Sequence, residues 1–116
     1  MTKITVRFRE TNHQISDVAI ADDLVSRVIG LMFKKTLNGM SGLLIKPCNS
    51  IHTFFMFFDL DVLFLNSSGE IVKIIRGMKP WRMSWIYFRA TQVLELKAGS
   101  LPKEVKSGMK VEVVHV

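Results

Sequence analysis

Cysteine is almost absent from this 116-residue chain, and no apolar run is long enough to span a bilayer as a helix. The single cysteine, Cys48, excludes an internal disulfide, so nothing in the sequence calls for an oxidising compartment. The most apolar stretch, residues 51–65, is interrupted by Asp59 and Asp61. No apolar segment follows the charged N-terminus, so we find no signal peptide. We therefore expect a cytoplasmic protein without a transmembrane segment.

The chain also lacks the short motifs that identify many catalytic sites. It contains no glycine-rich phosphate loop, no zinc-ligand spacing and no G-x-S-x-G sequence. Internal repeats, low-complexity segments and flexible linkers are missing too, and the length fits one domain over residues 1–116. These absences make an enzyme less expected without excluding one.

Positive charge is what the sequence has in excess. The formal net charge is +6, and the isoelectric point is near 9.8. A basic balance of this size attracts nucleic acid, anionic lipid or an acidic partner over long range, but it does not specify a fold. Ordinary solvation of a basic surface explains the same balance.

Alternating apolar residues predict several β-strands. Ile4, Val6 and Phe8 alternate in the first strand, which we expect to be half-buried. The sequence NSSG at residues 66–69 predicts a hairpin loop that pairs residues 62–65 with 71–75, both covered on two faces. Further strands are predicted over residues 13–21, 42–46, 91–97 and 109–116.

One short helix interrupts this pattern. Asp22 and Asp23 offer an N-cap, and apolar residues at helical spacing predict a helix over Leu24–Phe33. Asn38 and Gly39 predict a turn. The expected fold is mostly β: an antiparallel β-sandwich or a partly closed barrel with one short helix beside it.

Several segments in order resemble a family of small bacterial and archaeal proteins, domain of unknown function 192. The resemblance covers residues 18–114, and it is carried by the segments RVIGLMFKKTL, GLLI, SIHTFFM, DLDVLFLNSSGEIVKI and VLELKAGS. It implies a compact, mostly β domain, and it brings no established activity with it.

Cys48 and His52 are the candidate catalytic pair. A thiolate is the reactive form of cysteine, and a neighbouring imidazolium favours it. Pro47 and the aromatic run after His52 indicate a strand, however, in which the two Cα atoms would lie about 13 Å apart. We therefore expect residues 48–56 to form a buried structural strand with Cys48 and His52 at the rim of a small pocket. The N–H of His52 would then need a partner such as Asp61, Glu95 or a backbone carbonyl.

The same segment is a weak candidate for a metal site. Cys48, His52 and Met56 are the soft ligands that suit copper(I), but strand spacing separates His52 from Met56. His13 or His115 would have to complete such a site from another strand. We predict no metal and no cofactor.

Asp61 is the third catalytic candidate, because Asp59 and Asp61 could share one strand face about 7 Å apart. The structural alternative is that Asp59 accepts backbone hydrogen bonds at a bend. If Asp61 is buried, we expect it to need a partner such as Arg27 or Arg76.

Residues 76–89, RGMKPWRMSWIYFR, form what we call the aromatic-basic loop. Cations alternating with stacking aromatics are typical of single-stranded nucleic-acid grooves, and they also suit a protein partner or a membrane surface. The alternative is that the aromatics fold back and cover the end of the sheet. The candidate binding residues are Arg76, Lys79, Trp81, Arg82, Trp85 and Arg89.

These features predict a small binding or interaction module that uses the aromatic-basic loop and an adjacent pocket. A small enzyme with a Cys48–His52 site is the alternative. The sequence leaves the partner open between a protein, a small molecule and nucleic acid.

Overall fold

The computed structural model describes residues 2–37 and 39–114. The turn predicted at Asn38 and the end of the last predicted strand, with His115, lie outside the described residues. The elements in chain order are β1 (Lys3–Phe8), β2 (Gln14–Ala21), α1 (Leu24–Ile29), β3 (Gly42–Ile45), β4 (Leu60–Leu65), β5 (Ile71–Met78), β6 (Gln92–Lys97) and β7 (Val111–Val114).

The strands form one seven-stranded sheet in the order β5-β4-β6-β3-β2-β1-β7. Every neighbouring pair is antiparallel except β2 and β3, which are parallel. The sheet curls into a half-barrel, so the expected mostly β, partly closed barrel with one short helix is confirmed. The alternative of a two-sheet sandwich is wrong, because all seven strands belong to the same sheet.

Backbone hydrogen bonds join the two edges of the sheet at one end. The amide of Ile71, the first residue of β5, donates to the carbonyl of Met109 at 2.8 Å. The amide of Val111, the first residue of β7, donates to the carbonyl of Gly69 at 2.8 Å. These contacts close the barrel on one side, because β5 and β7 are the two edge strands.

The hairpin around NSSG is confirmed. Val62 pairs with Ile75 and Leu65 pairs with Ile71, so the two predicted segments are paired. β4 is buried along its whole length, as expected for a strand covered on two faces. For β5 that expectation is wrong: Lys73 is exposed, because β5 is an edge strand with a solvated side.

The central strands β4 and β6 carry apolar residues on both faces. Leu63 and Leu94 belong to a core on one face, which residues after β6 help to cover. Val62 and Val93 belong to a second core on the opposite face, which is covered by side chains of the loops after α1 and before β4. This second face is covered by loops and not by a second sheet. It is therefore the face on which the fold leaves room for a cavity.

α1 is shorter than predicted. Asp23 caps it as expected, with its carboxylate accepting from the amide of Ser26 at 2.8 Å. The helix ends at Ile29 because Gly30 adopts a positive φ of 50°. None of its residues is buried, so it does not cover the sheet. Within the described residues, no helix has the length and apolar character needed to cross a bilayer.

Gly69 provides the first test, because it lies where the barrel closes. It has a φ of 88°, and an added Cβ would come 2.4 Å from the carbonyl oxygen of Val111. We expect Gly69→Ala to lower the free energy of unfolding by more than about 1 kcal/mol, since both the backbone conformation and the space exclude a side chain.

Gly99 offers a matched control. It has a similar φ of 89°, but a Cβ added there would meet no atom of the described residues within 4 Å. Denaturant unfolding should show a smaller loss for Gly99→Ala than for Gly69→Ala. Equal losses would mean that the close approach of Gly69 to Val111 contributes nothing to closure.

Candidate functional site

The segment that opens the site, residues 48–56, is a loop rather than the predicted strand. Its single strand-like contact is an isolated bridge between His52 and Met83. Phe55 has a positive φ of 61°, residues 54–55 form a turn, and the chain bends again at residues 57–58. Pairing with residues 81–87, itself an irregular segment, replaces pairing with the sheet, and a strand therefore does not form.

A cavity of about 260 Å³ lies between this loop, α1 and the sheet. Its position follows from the fold, because the loop covers part of the second apolar face of the sheet and residues of α1 line the side of the cavity. The residues that line it include Arg27, Ile45, Cys48, His52, Met56 and Glu95. A second cavity of about 390 Å³ lies beside Phe58 and Lys97, but none of its described lining residues is a buried titratable group.

Glu95 is the buried acid of the cavity. It lies in the middle of β6, between Val62 of β4 and Leu43 of β3, and only 4% of its surface is exposed. Among the described residues, no side chain or backbone group forms a hydrogen bond or ion pair with its carboxyl group. Burial alone raises the pKa of Glu95 to about 8. The carboxyl group is therefore mostly protonated at neutral pH.

Arg27 brings a second incompletely bonded polar group to the same cavity. One terminal nitrogen, Nη1, donates to the carbonyl of Pro47 at 3.1 Å. Its Nε is buried and has no hydrogen-bond partner among the residues that the structure describes. No ion pair joins Arg27 to Glu95 within that part of the chain. A cation and an acid therefore face one cavity without neutralising each other.

Cys48 is held as a neutral thiol. Its Sγ donates to the carbonyl of Ser50 at 3.0 Å rather than to His52. Burial is the largest influence and raises the pKa of the thiol, which is also raised by the charge of Glu95 and lowered by that of Arg27. The thiol thus lies within electrostatic reach of both groups, and it is not activated as a nucleophile.

His52 also lines the cavity, but its ring faces its own loop. Nδ1 accepts from the amide of Phe54 at 3.2 Å, and the ring stacks on Phe54 with centroids 5.0 Å apart. The expected partners of its N–H, Asp61 and Glu95, make no hydrogen bond with it in the structure as described. Cys48 and His52 therefore share a cavity without forming a pair.

The family model for DUF192, described as "Uncharacterized ACR", matches residues 5–113. The chain belongs to the DUF192 family. The family model carries no activity, so the family leaves the function of the cavity open.

Similar proteins include relatives found by sequence and solved structures with the same fold. A UPF0127 protein from Pyrococcus horikoshii is 35% identical over 99 residues, which cover 83% of this chain and 81% of the relative. A solved structure from Sinorhizobium meliloti 1021, described as a proposed transcription regulator, has a TM-score of 0.80 and 28% identity, covering 97% of this chain and 94% of that one. A protein of unknown function from Novosphingobium aromaticivorans has a TM-score of 0.79 at 21% identity, covering 96% and 84%, and supports the fold alone.

Asp61 does not share the cavity. It lies on the opposite face of the sheet from Glu95, because it shares a strand face with Leu63 of the first core. Its buried carboxylate accepts from the amides of Gly77 at 2.9 Å, Gly99 at 2.9 Å and Leu101 at 3.2 Å. Backbone amides therefore replace the arginine partner expected from the sequence, and Asp61 ties three chain segments together.

The aromatic-basic loop runs beside the cavity loop and is fastened to it. Thr53 is fully buried and provides the main connection. Its amide donates to the carbonyl of Arg82 at 2.8 Å, and its hydroxyl donates to the carbonyl of Lys79 at 2.6 Å. Tyr87 anchors the far end, with its ring 4.5 Å from that of Phe64 and its amide donating to Asn49. Nothing in the sequence patterns singled out Thr53.

The predicted binding residues of this loop differ in their surroundings. Trp81, Arg82, Trp85 and Arg89 are exposed, and Lys79 is exposed and forms an ion pair with Asp59 at 3.6 Å. Arg76 lies in β5 and not in the irregular segment that carries the exposed residues. Its guanidinium donates to the carbonyls of Leu101, Pro102 and Val105, so it fastens that segment instead of joining the exposed group.

Metal ligation has no support from the geometry. No group of three or more His, Cys, Asp and Glu side chains is arranged to hold an ion in the part of the chain that is described. His13 lies in the turn between β1 and β2 and does not line the cavity of Cys48 and His52.

The raised pKa of Glu95 makes a prediction about stability. Below pH 4.5 the carboxyl group is protonated in both the folded and the unfolded chain, so its ionisation costs nothing. Between pH 4.5 and about 8 only the unfolded chain loses the proton, so stability falls as pH rises. Glu95→Gln should remove this loss. We expect the free energy of unfolding of the variant, relative to the natural chain, to increase by a few kcal/mol from pH 5 to pH 9.

Denaturant unfolding at several pH values measures this difference. Glu104→Gln is the matched control, because Glu104 is exposed and lies away from the cavity. Its difference from the natural chain should stay constant with pH. A constant difference for Glu95→Gln as well would mean that Glu95 ionises normally and is not buried as described.

Proposed function

We propose that this chain is a binding module whose ligand site is the cavity above Glu95, with the cavity loop and the aromatic-basic loop as its outer wall. The observation that carries the proposal is Glu95 itself, a residue that is 4% exposed and whose carboxyl group has no partner within the described residues. Leaving a buried polar group unpaired costs about 1–3 kcal/mol. A buried polar group without a partner therefore calls for an explanation, and a group in a cleft with a strongly shifted pKa is a candidate functional site.

The two unpaired groups specify the chemistry of the ligand. The Nε–H of Arg27 needs an acceptor, which a carboxylate oxygen provides well. Glu95 can pair with an amine. A protonated amine would favour the ionised form of Glu95, so the carboxyl group would lose its proton on binding. The apolar walls include Ile45 and Met56. We therefore propose small zwitterions, apolar α-amino acids in particular, as the ligand class.

The size of the cavity agrees with that class. Sites for drug-sized ligands are typically about 300–1,000 Å³. The present cavity of about 260 Å³ lies just below this range and suits a single small molecule better than a peptide or a nucleotide.

The alternative of a small enzyme with Cys48 and His52 has less support. The thiol donates to Ser50 instead of His52, and burial raises its pKa. The third candidate, Asp61, is engaged by three backbone amides on the other face of the sheet. Cys48, His52 and Asp61 therefore do not come together as a nucleophile, a base and an orienting group.

A nucleic-acid role has one specific observation in its favour. The exposed residues Trp81 and Trp85 alternate with the cation Arg82, and the Sinorhizobium neighbour is described as a proposed transcription regulator. The exposed aliphatic residues beside them do not fit base stacking, and we rank this function second.

The expected cytoplasmic location and single-domain organisation remain predictions.

The ligand proposal predicts stabilisation by amino acids. In thermal unfolding at pH 7 with a panel of α-amino acids at millimolar concentration, we expect leucine, valine or methionine to raise the Tm by a few degrees. A ligand present at 100 times its Kd adds about 2.7 kcal/mol to the stability of the folded state. Polar and acidic amino acids should raise the Tm less.

Single substitutions locate the effect. Glu95→Gln and Arg27→Gln should each abolish most of the shift, because each removes one of the two polar contacts. Glu104→Gln should retain it. The proposal fails if no amino acid on the panel raises the Tm, or if Glu95→Gln responds as the natural chain does.

A further inference from the structure

The loop residues 81–88 expose an unusual amount of apolar surface. Trp85 is 82% exposed, Phe88 is 86% exposed and Met83 is 72% exposed. Large apolar side chains in contiguous exposed patches mark interaction sites. We call the exposed residues Phe55, Trp81, Met83, Trp85, Ile86 and Phe88 the aromatic face.

The aromatic face continues past the cavity towards α1. The ring of Trp81 lies 4.8 Å from that of Phe55, which lies 5.1 Å from the ring of Phe33. The amide of Phe33 donates to the carbonyl of Phe55 at 2.9 Å. Val28 and Ile29, both exposed, complete the far side of the cavity.

The face is exposed although its backbone is held in place. The amide of Ser84 donates to the carbonyl of Ile51, and the amide of Trp81 donates to the carbonyl of Thr53, both at 2.9 Å. Within the described residues, Trp85 and Phe88 pack on no other aromatic ring. An ordered backbone therefore presents these two side chains to the surroundings.

Exposed cations lie in or close in sequence to the segments that form this apolar surface. Arg82, Arg89 and Lys35 are exposed, and within the described residues none of them forms an ion pair with an acid. The acid beside the loop, Asp59, is paired with Lys79.

We propose that the aromatic face docks this chain on the surface of an anionic lipid bilayer. Tryptophan, phenylalanine and aliphatic side chains enter the boundary between headgroups and acyl chains, while arginine and lysine bind anionic headgroups. The loop contributes the inserted side chains, and Arg82 and Arg89 contribute the electrostatic attraction. The proposal does not depend on the ligand of the cavity.

Other occupants fit the observations less well. Nucleic acid would use the aromatic rings and cations but gains little from Met83, Ile86, Val28 and Ile29. A second copy of the chain would bring Arg82 and Arg89 against like charges in a chain of net charge +6. A lipid surface matches both the apolar side chains and the sign of the charge.

The test uses the full chain with vesicles of phosphatidylcholine alone and vesicles with 30% phosphatidylserine. Both tryptophans of the chain, Trp81 and Trp85, belong to the aromatic face, so their fluorescence reports on insertion directly. We expect sedimentation with the anionic vesicles and a blue shift of the emission, with binding at least tenfold weaker to phosphatidylcholine. The salt dependence should be marked.

Matched variants separate insertion from charge. Trp85→Ser with Phe88→Ser should weaken binding to anionic vesicles at least tenfold, and Arg82→Glu with Arg89→Glu should do the same. Lys103→Glu with Lys106→Glu changes the net charge equally at exposed positions outside the face, and it should have a much smaller effect. Circular dichroism checks that each variant is folded.

Three results would overturn the proposal. The first is no binding of the natural chain to anionic vesicles at low salt. The second is vesicle binding that the Trp85 and Phe88 substitutions leave unchanged. The third is binding to single-stranded oligonucleotides, or self-association, that these substitutions abolish while vesicles are not bound.

Discussion

Burial of β4 and β6 on both faces is the constraint on which the rest of this structure depends. These two strands lie side by side in a curled sheet, and apolar cores cover them from above and below. A polar side chain in these strands is shielded from water, so it must find its hydrogen-bond partners within the protein or lack them. Asp61 is satisfied by three backbone amides, whereas Glu95 has no partner among the described residues. Asp61 therefore has a structural role, whereas Glu95 is the centre of the proposed ligand site.

The two acids differ because of their positions in their strands and because of the segments that cover them. Asp61 lies near the start of β4, next to the loop after β6, whose amides point towards it. Glu95 lies inside β6, where the neighbouring backbone is already paired in the sheet and only side chains and loops lie above it. An ionised carboxylate there would cost several kcal/mol, and its pKa rises instead. The cavity above Glu95 supplies the space that a ligand could fill.

Much of the fold could be predicted from alternation and turn residues. The NSSG hairpin, the N-cap at Asp23 and the partly closed barrel all follow from local rules that the tertiary structure respects. The strand predicted over residues 48–56 is wrong, because that segment pairs with the aromatic-basic loop through Thr53. Long-range pairing between two irregular segments leaves no periodic signal in a sequence.

The site was only partly predictable for a related reason. The sequence predicts Cys48 and His52 at the rim of a small pocket, and they do line one cavity. It indicates Glu95 and Arg27 only as partners for other residues. The one signal for Glu95 was its position as an acid between Leu94 and Leu96 in a predicted strand. Whether such an acid is buried without a hydrogen-bond partner depends on the complete packing around it, which the sequence does not show.

The pKa of Glu95 is the quantity on which the proposed ligand site depends most directly. It is measured by following the side-chain carboxyl carbon of Glu95 by NMR between pH 4 and pH 10, with Glu95→Gln used to assign the resonance. We predict a midpoint near 8, well above the ordinary value of 4.5. A midpoint close to 4.5 would show that Glu95 is solvated or paired, and it would contradict the proposed ligand site.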